Sequence, residues 1–105
     1  MALSESVAAY EDCYDHFDRA KNSPNGIRVL LATEKEAVYL RFRLNQARVL
    51  ERRDSMRIYD RSDPRYGKSE NDCFRISCLP PADGETGHWV YIQRWSQKIE
   101  GLEEL

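Results

Sequence analysis

The stretch TEKEAVYLRFRLNQARVLERRDSMRIY, residues 33–59, decides how this chain folds. It opens as a capping box, in which the Thr33 hydroxyl accepts the amide of Glu36 and the Glu36 side chain reaches back toward the start of the helix. No Gly or Pro follows until Pro64, so the helix is free to run to about Tyr59. At 100° per residue, Ala37, Leu40, Leu44, Ala47 and Ile58 fall on one side, and Val38, Phe42, Val49 and Met56 on nearly the opposite side. Two apolar seams need two partners. One is expected to cover a sheet and the other to meet an N-terminal helix or a second copy of the chain.

Working outward, Ile27 to Ala32 is short and apolar, with a breaker before it and the Thr33 cap after it, which predicts a buried strand. Asn22-Ser23-Pro24-Asn25-Gly26 reads as a loop. Upstream of it, residues 4–21 space Val7, Tyr10, Tyr14 and Phe17 as one stripe of an amphipathic helix, with Glu11, Asp15 and Asp18 on another face. On the other side of the long helix, residues 60–72 lack apolar periodicity and contain Pro64 and Gly67, a polar loop of a length that is more often functional or mobile than a short connection. Cys73 to Leu79 then alternates, with Phe74, Ile76 and Cys78 on one face. His88 to Trp95 places Val90 and Ile92 opposite Trp89, Tyr91 and Trp95, and residues 80–87 join the two segments as an antiparallel hairpin. Ile99, Leu102 and Leu105 suggest a terminal helical turn, weakened by Gly101. The expected architecture is one α+β domain over residues 1–105, ordered α-β-α-β-β. A small, mostly antiparallel three-stranded sheet packs on the long helix, and the N-terminal helix lies on that helix's second seam.

A chain of 105 residues has room for about one domain. Hydrophobic residues make up 41% and charged residues 32%, a polar balance that the spread of eleven aromatic and nineteen Leu, Ile and Val residues still reconciles with a core. The longest apolar runs are four residues, such as Val29-Leu30-Leu31-Ala32, so no membrane span is expected. Met1 to Ser6 has neither the basic start nor the apolar centre of a secretory signal, and a cytoplasmic location is the expectation. The three cysteines, at 13, 73 and 78, form no CxxC pair and are expected to be reduced.

The net charge of −2 hides a division along the chain. Residues 1–26 carry −3, residues 27–40 are balanced, residues 41–68 carry +5 and residues 69–105 carry −4. Twelve of the sixteen basic residues are Arg, whose planar fork binds phosphate or carboxylate through paired hydrogen bonds. Arg41, Asn45, Arg48 and Arg52 share one stripe of the helix between its apolar seams, and Arg53, Arg57, Arg61, Arg65, Tyr66 and Lys68 extend it into the loop. These ten residues are the candidate binding site for nucleic-acid phosphates or for a protein partner. The competing assignment pairs the arginines internally with Glu11, Asp15, Asp18 and the C-terminal acids. Those three acids could also imitate nucleic acid toward a basic protein, although a solvated helix face accounts for them more simply.

Other chemistry finds little support. Gly67-Lys68-Ser69 resembles the end of a phosphate-binding loop, but Ser62 stands where that pattern needs Gly and a strand follows where it needs a helix. His16 and His88 are the only histidines, and no Cys or His pair has zinc-ligand spacing. Nothing in the spacing brings Cys13 to His16, or Cys73 to His88, as nucleophile and base. Trp89, Tyr91 and Trp95 could stack bases if exposed, yet aromatic residues in such alternation more commonly fill cores or protein interfaces. The functional expectation is a small non-enzymatic interaction or regulatory protein without a cofactor. It would work through the Arg-rich helix and loop on nucleic-acid phosphates, or act as a phage- or mobile-element-type inhibitor or accessory factor on a protein or ribonucleoprotein. Homodimerisation through the second seam is a further expectation.

Overall fold

The computed structural model describes residues 9–81, 84 and 86–95. Its elements are α1 (Glu11–Lys21), β1 (Ile27–Leu31), α2 (Glu34–Ile58), a short 3-10 turn (Glu70–Cys73), β2 (Phe74–Leu79) and β3 (His88–Arg94). The strands form an antiparallel sheet in the order β1-β3-β2. β3 pairs with β1 from Ile27↔Ile92 to Leu31↔His88, and with β2 from Phe74↔Arg94 to Leu79↔Trp89. The α+β architecture and the hairpin are as expected. The expected helical positions 4–8 and the turn built on Ile99, Leu102 and Leu105 lie outside the described residues.

α2 starts at the capping box. The Glu36 amide donates to Thr33 Oγ1 at 3.2 Å, while the Glu36 carboxylate takes the amide of Ala32, one residue before the cap, also at 3.2 Å. The helix ends where Tyr59 turns extended, its amide still donating to Ser55 O at 2.9 Å. Between α1 and β1, Gly26 has φ +77°, and a Cβ there would stand 2.3 Å from Ile92 O. The chain can therefore enter β1 beside β3 only with a glycine at this turn.

Alternation along the strands turns Phe74, Val90 and Ile92 toward α2, where they are buried with Ala37, Leu40, Leu44 and Ala47. Phe17 of α1 completes this core, its ring 5.8 Å from that of Phe74 with 17° between the planes. The small side chains at Ala37 and Ala47 let the helix sit close to its neighbours.

Three expectations are corrected. First, α1 does not lie on the second seam of α2. Its Cys13, Phe17 and Ala20 enter the same core as Leu44 and Ala47, and the Tyr14 hydroxyl donates to Ala47 O at 3.2 Å. Arg43 binds both oxygens of Asp12, at 2.5 and 2.8 Å, and Ala9 O at 2.7 Å. The inward sector of α2 is wide enough for the sheet and α1 side by side, and Phe17 is buried only where Phe74 and Leu44 already meet. Val38, Phe42 and Met56 are left 44%, 54% and 49% exposed.

Second, Ile58 is 67% exposed instead of buried. The 25 residues of α2 extend about 37 Å, whereas the seven of β3 reach only about 24 Å, so the helix runs past the sheet. Third, the end of the expected loop is a fixed element. Ser69 Oγ accepts the amide of Asn71 at 3.0 Å, and the Ser69 amide donates to Asp72 at 2.9 Å, which caps the 3-10 turn while Ser69 and Asn71 are buried. Among the described residues no helix is long and apolar enough to cross a membrane.

The two seams therefore differ in their contribution to stability. Leu44→Ala should lower the unfolding free energy by about 2–5 kcal/mol, and Phe42→Ala by no more than about 0.5 kcal/mol. Urea unfolding of both variants checks this, and similar losses at the two positions would contradict the assignment of core and surface.

Candidate interaction surface on α2 and the adjoining loop

The structure divides the ten candidate residues by what their side chains already hold. Arg48 is half-buried: Nη1 donates to Phe74 O at 2.7 Å and, more weakly, to Asn71 O at 3.4 Å, and Nη2 donates to Asn45 Oδ1. Burial lowers its pKa from the ordinary arginine value, and Nε finds no hydrogen-bond partner among the described residues. Arg52 grips Asp72 through Nε at 3.0 Å and Nη2 at 2.5 Å, both to Oδ1. Burial pushes the Asp72 carboxyl up, but the hydrogen bonds from Arg52 and from the Ser69 amide outweigh it and hold the carboxyl below its usual range. Arg48, Arg52 and Asn45 thus fasten the 3-10 turn and the start of β2 to the helix.

Glu51 belongs to the same fastening. Its Oε1 accepts from Asn71 Nδ2 at 2.7 Å and from Ser69 Oγ at 3.1 Å. Burial raises the Glu51 carboxyl above its ordinary value, although these two hydrogen bonds pull the other way. A cleft of about 420 Å³ opens beside it, between the end of α2 and the loop, with Tyr59, Arg65, Lys68 and Glu70 on its walls.

Arg57 pairs with Asp54 on the helix. Arg65 closes on Asp63 with Nη2 to Oδ2 at 2.8 Å, lies over the Tyr59 ring at 4.0 Å, and holds the Asp63 carboxyl down to about 2. Tyr66 is half-buried, its amide donating to Asp63 O at 3.0 Å. Arg41, Arg53, Arg61 and Lys68 are exposed, and their side chains make no hydrogen bond or ion pair with a described residue. Arg41 and Arg53 border the exposed Val38, Phe42 and Met56, so the outward face of α2 combines apolar and cationic groups.

Two further surfaces bear on function. The helices cover only the Val90 and Ile92 face of the sheet. On the other face Leu30, Trp89 and Leu79 lie in register across the three strands, with Tyr91 between Arg28 and Ser77. The Arg28 guanidinium sits 3.9 Å over the Trp89 ring. The acids of α1 are partly paired: Asp12 binds Arg43, Asp15 binds Arg19 at 3.2 Å, and Asp18 lies 3.9 Å from Lys21, whose nearer partner is Glu70 at 2.8 Å. Internal pairing of the arginines therefore occurs, though chiefly with Asp12, Asp54, Asp63, Asp72 and main-chain carbonyls.

Cys13 and Cys73 are not placed as activated nucleophiles. Burial pushes the Cys13 thiol up to about 11, and Cys73 donates to Glu70 O at the opposite end of the hairpin from His88. Comparison with family models, curated proteins and solved structures finds no match.

Periodicity located the Arg stripe but did not show what it holds. The one signal was Ser69-Glu70-Asn71-Asp72, a capping-box spacing that marks this segment as ordered and gives Arg52 a fixed carboxylate. Glu51 was missed altogether, because a single acid on a charged helix looks solvated until the turn closes over it.

Glu51→Gln retains an acceptor for Ser69 and Asn71 while removing a partly desolvated charge. The folded-state pKa of Glu51 is raised, so its carboxylate costs stability above that pKa, and below the unfolded value of about 4.3 the carboxyl is neutral in both states. The substitution should raise the thermal midpoint at pH 7, with the gain shrinking as pH falls toward 4. Midpoints measured across that range check the sign, and destabilisation at pH 7 would refute it.

Proposed function

We propose that this chain is a small, non-enzymatic interaction protein that binds another protein through the outward face of α2, with the loop at 60–68 beside the C-terminal end of that face. One observation carries the reading: Val38, Phe42 and Met56 stand exposed along one side of a helix whose opposite side is buried in the core from Ala37 to Ala47. Apolar area of this kind gains about 25 cal/mol per Å² when a partner covers it. Aromatic residues, Met and Arg are also the types enriched in protein interfaces. A compact inhibitor or accessory factor, of the sort carried by phages and mobile elements, suits a domain of this size and surface.

Phosphate binding by the Arg stripe has less support. Of the nine basic residues in 41–68, Arg43, Arg48, Arg52, Arg57 and Arg65 already hold carboxylates or carbonyls. Of the four free cations, Arg41 and Arg53 border apolar side chains on α2, while Arg61 and Lys68 lie in the loop, so they do not form one track along a backbone. Nucleic acid stays as the second reading on different residues, because the uncovered face of the sheet offers Trp89 and Tyr91 beside Arg28, a stacking surface with cations.

Affinity capture from a lysate of the source cells, with and without nuclease, separates the readings. A protein partner should survive nuclease, be lost with Phe42→Asp and be kept by Trp89→Ala. Capture that is abolished by nuclease and by Trp89→Ala would move the function to the sheet, and capture indifferent to both substitutions would overturn both readings.

A further inference from the structure

We infer that the outward face of α2 receives an amphipathic α-helix of a different protein, one whose apolar stripe is flanked by carboxylates. The inference rests on the reading above and adds to it the shape and charge of the partner.

The spacing argues for a helix. Val38, Phe42, Asn45, Val49, Arg52 and Met56 follow one another at steps of 4, 3, 4, 3 and 4, the repeat along which two helices pack knobs into holes. All six lie in α2, so the seam follows one helix for about 27 Å, or five turns, with polar positions at Asn45 and Arg52. Val38, Phe42 and Met56 are exposed, Val49 is half-buried and Asn45 is exposed. Arg52 is held to Asp72, away from the seam. The polar interruptions at Asn45 and Arg52 favour a helix in fixed register over insertion into lipid, which needs a wider and unbroken apolar face.

Charge identifies the partner. The positions beside the seam, which set partner choice in paired helices, are Tyr39, Gln46 and Arg53 on one flank and Arg41, Arg48 and Ser55 on the other. None is acidic. Arg48 is taken up by Phe74 O, which leaves Arg41 and Arg53 as free cations on opposite flanks, about 18 Å apart along the axis. The complementary surface is an apolar stripe about five turns long with a carboxylate near each of these arginines.

Among the described residues, the helices of a second copy do not supply it. Two α2 faces laid together bring arginines to both flanks and no acid at the flank positions 39, 41, 46, 48, 53 and 55. The acids of α1 do no better: Asp12, Asp15 and Asp18 have cationic partners, and the apolar residues Cys13, Phe17 and Ala20 are in the core.

The test uses two 20-residue synthetic helical peptides with the same Leu/Ile seam, one with Glu and the other with Lys at both flanks. Binding to the full chain is followed by fluorescence anisotropy. The Glu peptide should bind on the order of tenfold more tightly than the Lys peptide. Phe42→Asp should weaken it about a hundredfold, with far-UV circular dichroism and thermal midpoint unchanged. The double variant Arg41→Glu, Arg53→Glu should reverse the preference toward the Lys peptide, a result that damage to the fold cannot produce. Equal affinity for the two peptides, or binding insensitive to Phe42→Asp, would overturn the inference. So would association with anionic vesicles in place of either peptide, or light scattering that shows dimers disrupted by Phe42→Asp. If lysate capture depends on Phe42 while the peptides do not discriminate, the partner is not an acidic helix but the interaction reading stands; if capture is indifferent to Phe42, the reading itself fails.

Discussion

One helix has to cover one face of a three-stranded sheet, and the structure is arranged around that constraint. α2 meets it with Ala37, Leu40, Leu44 and Ala47 laid over Phe74, Val90 and Ile92. A single helix is narrower than three strands spaced about 4.8 Å apart. The remaining inner surface goes to α1, which enters with Phe17 against Phe74 and Leu44. Both helices thus share one layer, and no other described helix or strand covers the outer faces of α2 and the sheet.

The charged residues of α2 serve this packing before anything else. Arg43 ties α1 to α2 through Asp12, and Arg48, Glu51 and Arg52 fasten residues 69–74, so that β2 starts at a fixed place beside the helix. A half-buried guanidinium gives up hydration, and Arg48 recovers part of that through the Phe74 carbonyl while its Nε stays unpartnered. The high Arg content is therefore in part structural. Long stems can lie along the core edge while the planar heads reach main-chain oxygens. What is left over, Arg41, Arg53, Arg61 and Lys68, is a small set of cations available to a partner, and the first two border apolar side chains.

That division sets the functional reading. A nucleic-acid surface is dominated by cations free to meet phosphates, whereas here most cations in the basic segment are engaged and the uncovered helix face is apolar with cationic edges. The uncovered sheet face is a different kind of surface, aromatic and partly filled by the Arg28 guanidinium over Trp89.

Local features of the fold were legible in the residues themselves. The Thr33 cap, the absence of Gly and Pro until Pro64, and the period-2 alternation of Phe74 to Cys78 each follow from backbone and side-chain geometry within a few residues, so α2, β2 and β3 could be placed without knowing their neighbours. The sequence also determined that α2 has two apolar seams. It could not say which neighbour each seam meets, because that depends on the width of the sheet and on where Phe17 finds a pocket, both set by contacts between residues far apart in the chain. The same limit applies to the Arg stripe. Helical periodicity placed Arg41, Arg48 and Arg52 on one side, but only the closing of residues 69–74 against α2 decided that Arg48 and Arg52 are fasteners and Arg41 is free, since an arginine's role depends on which oxygens the tertiary fold brings within about 3 Å of its guanidinium.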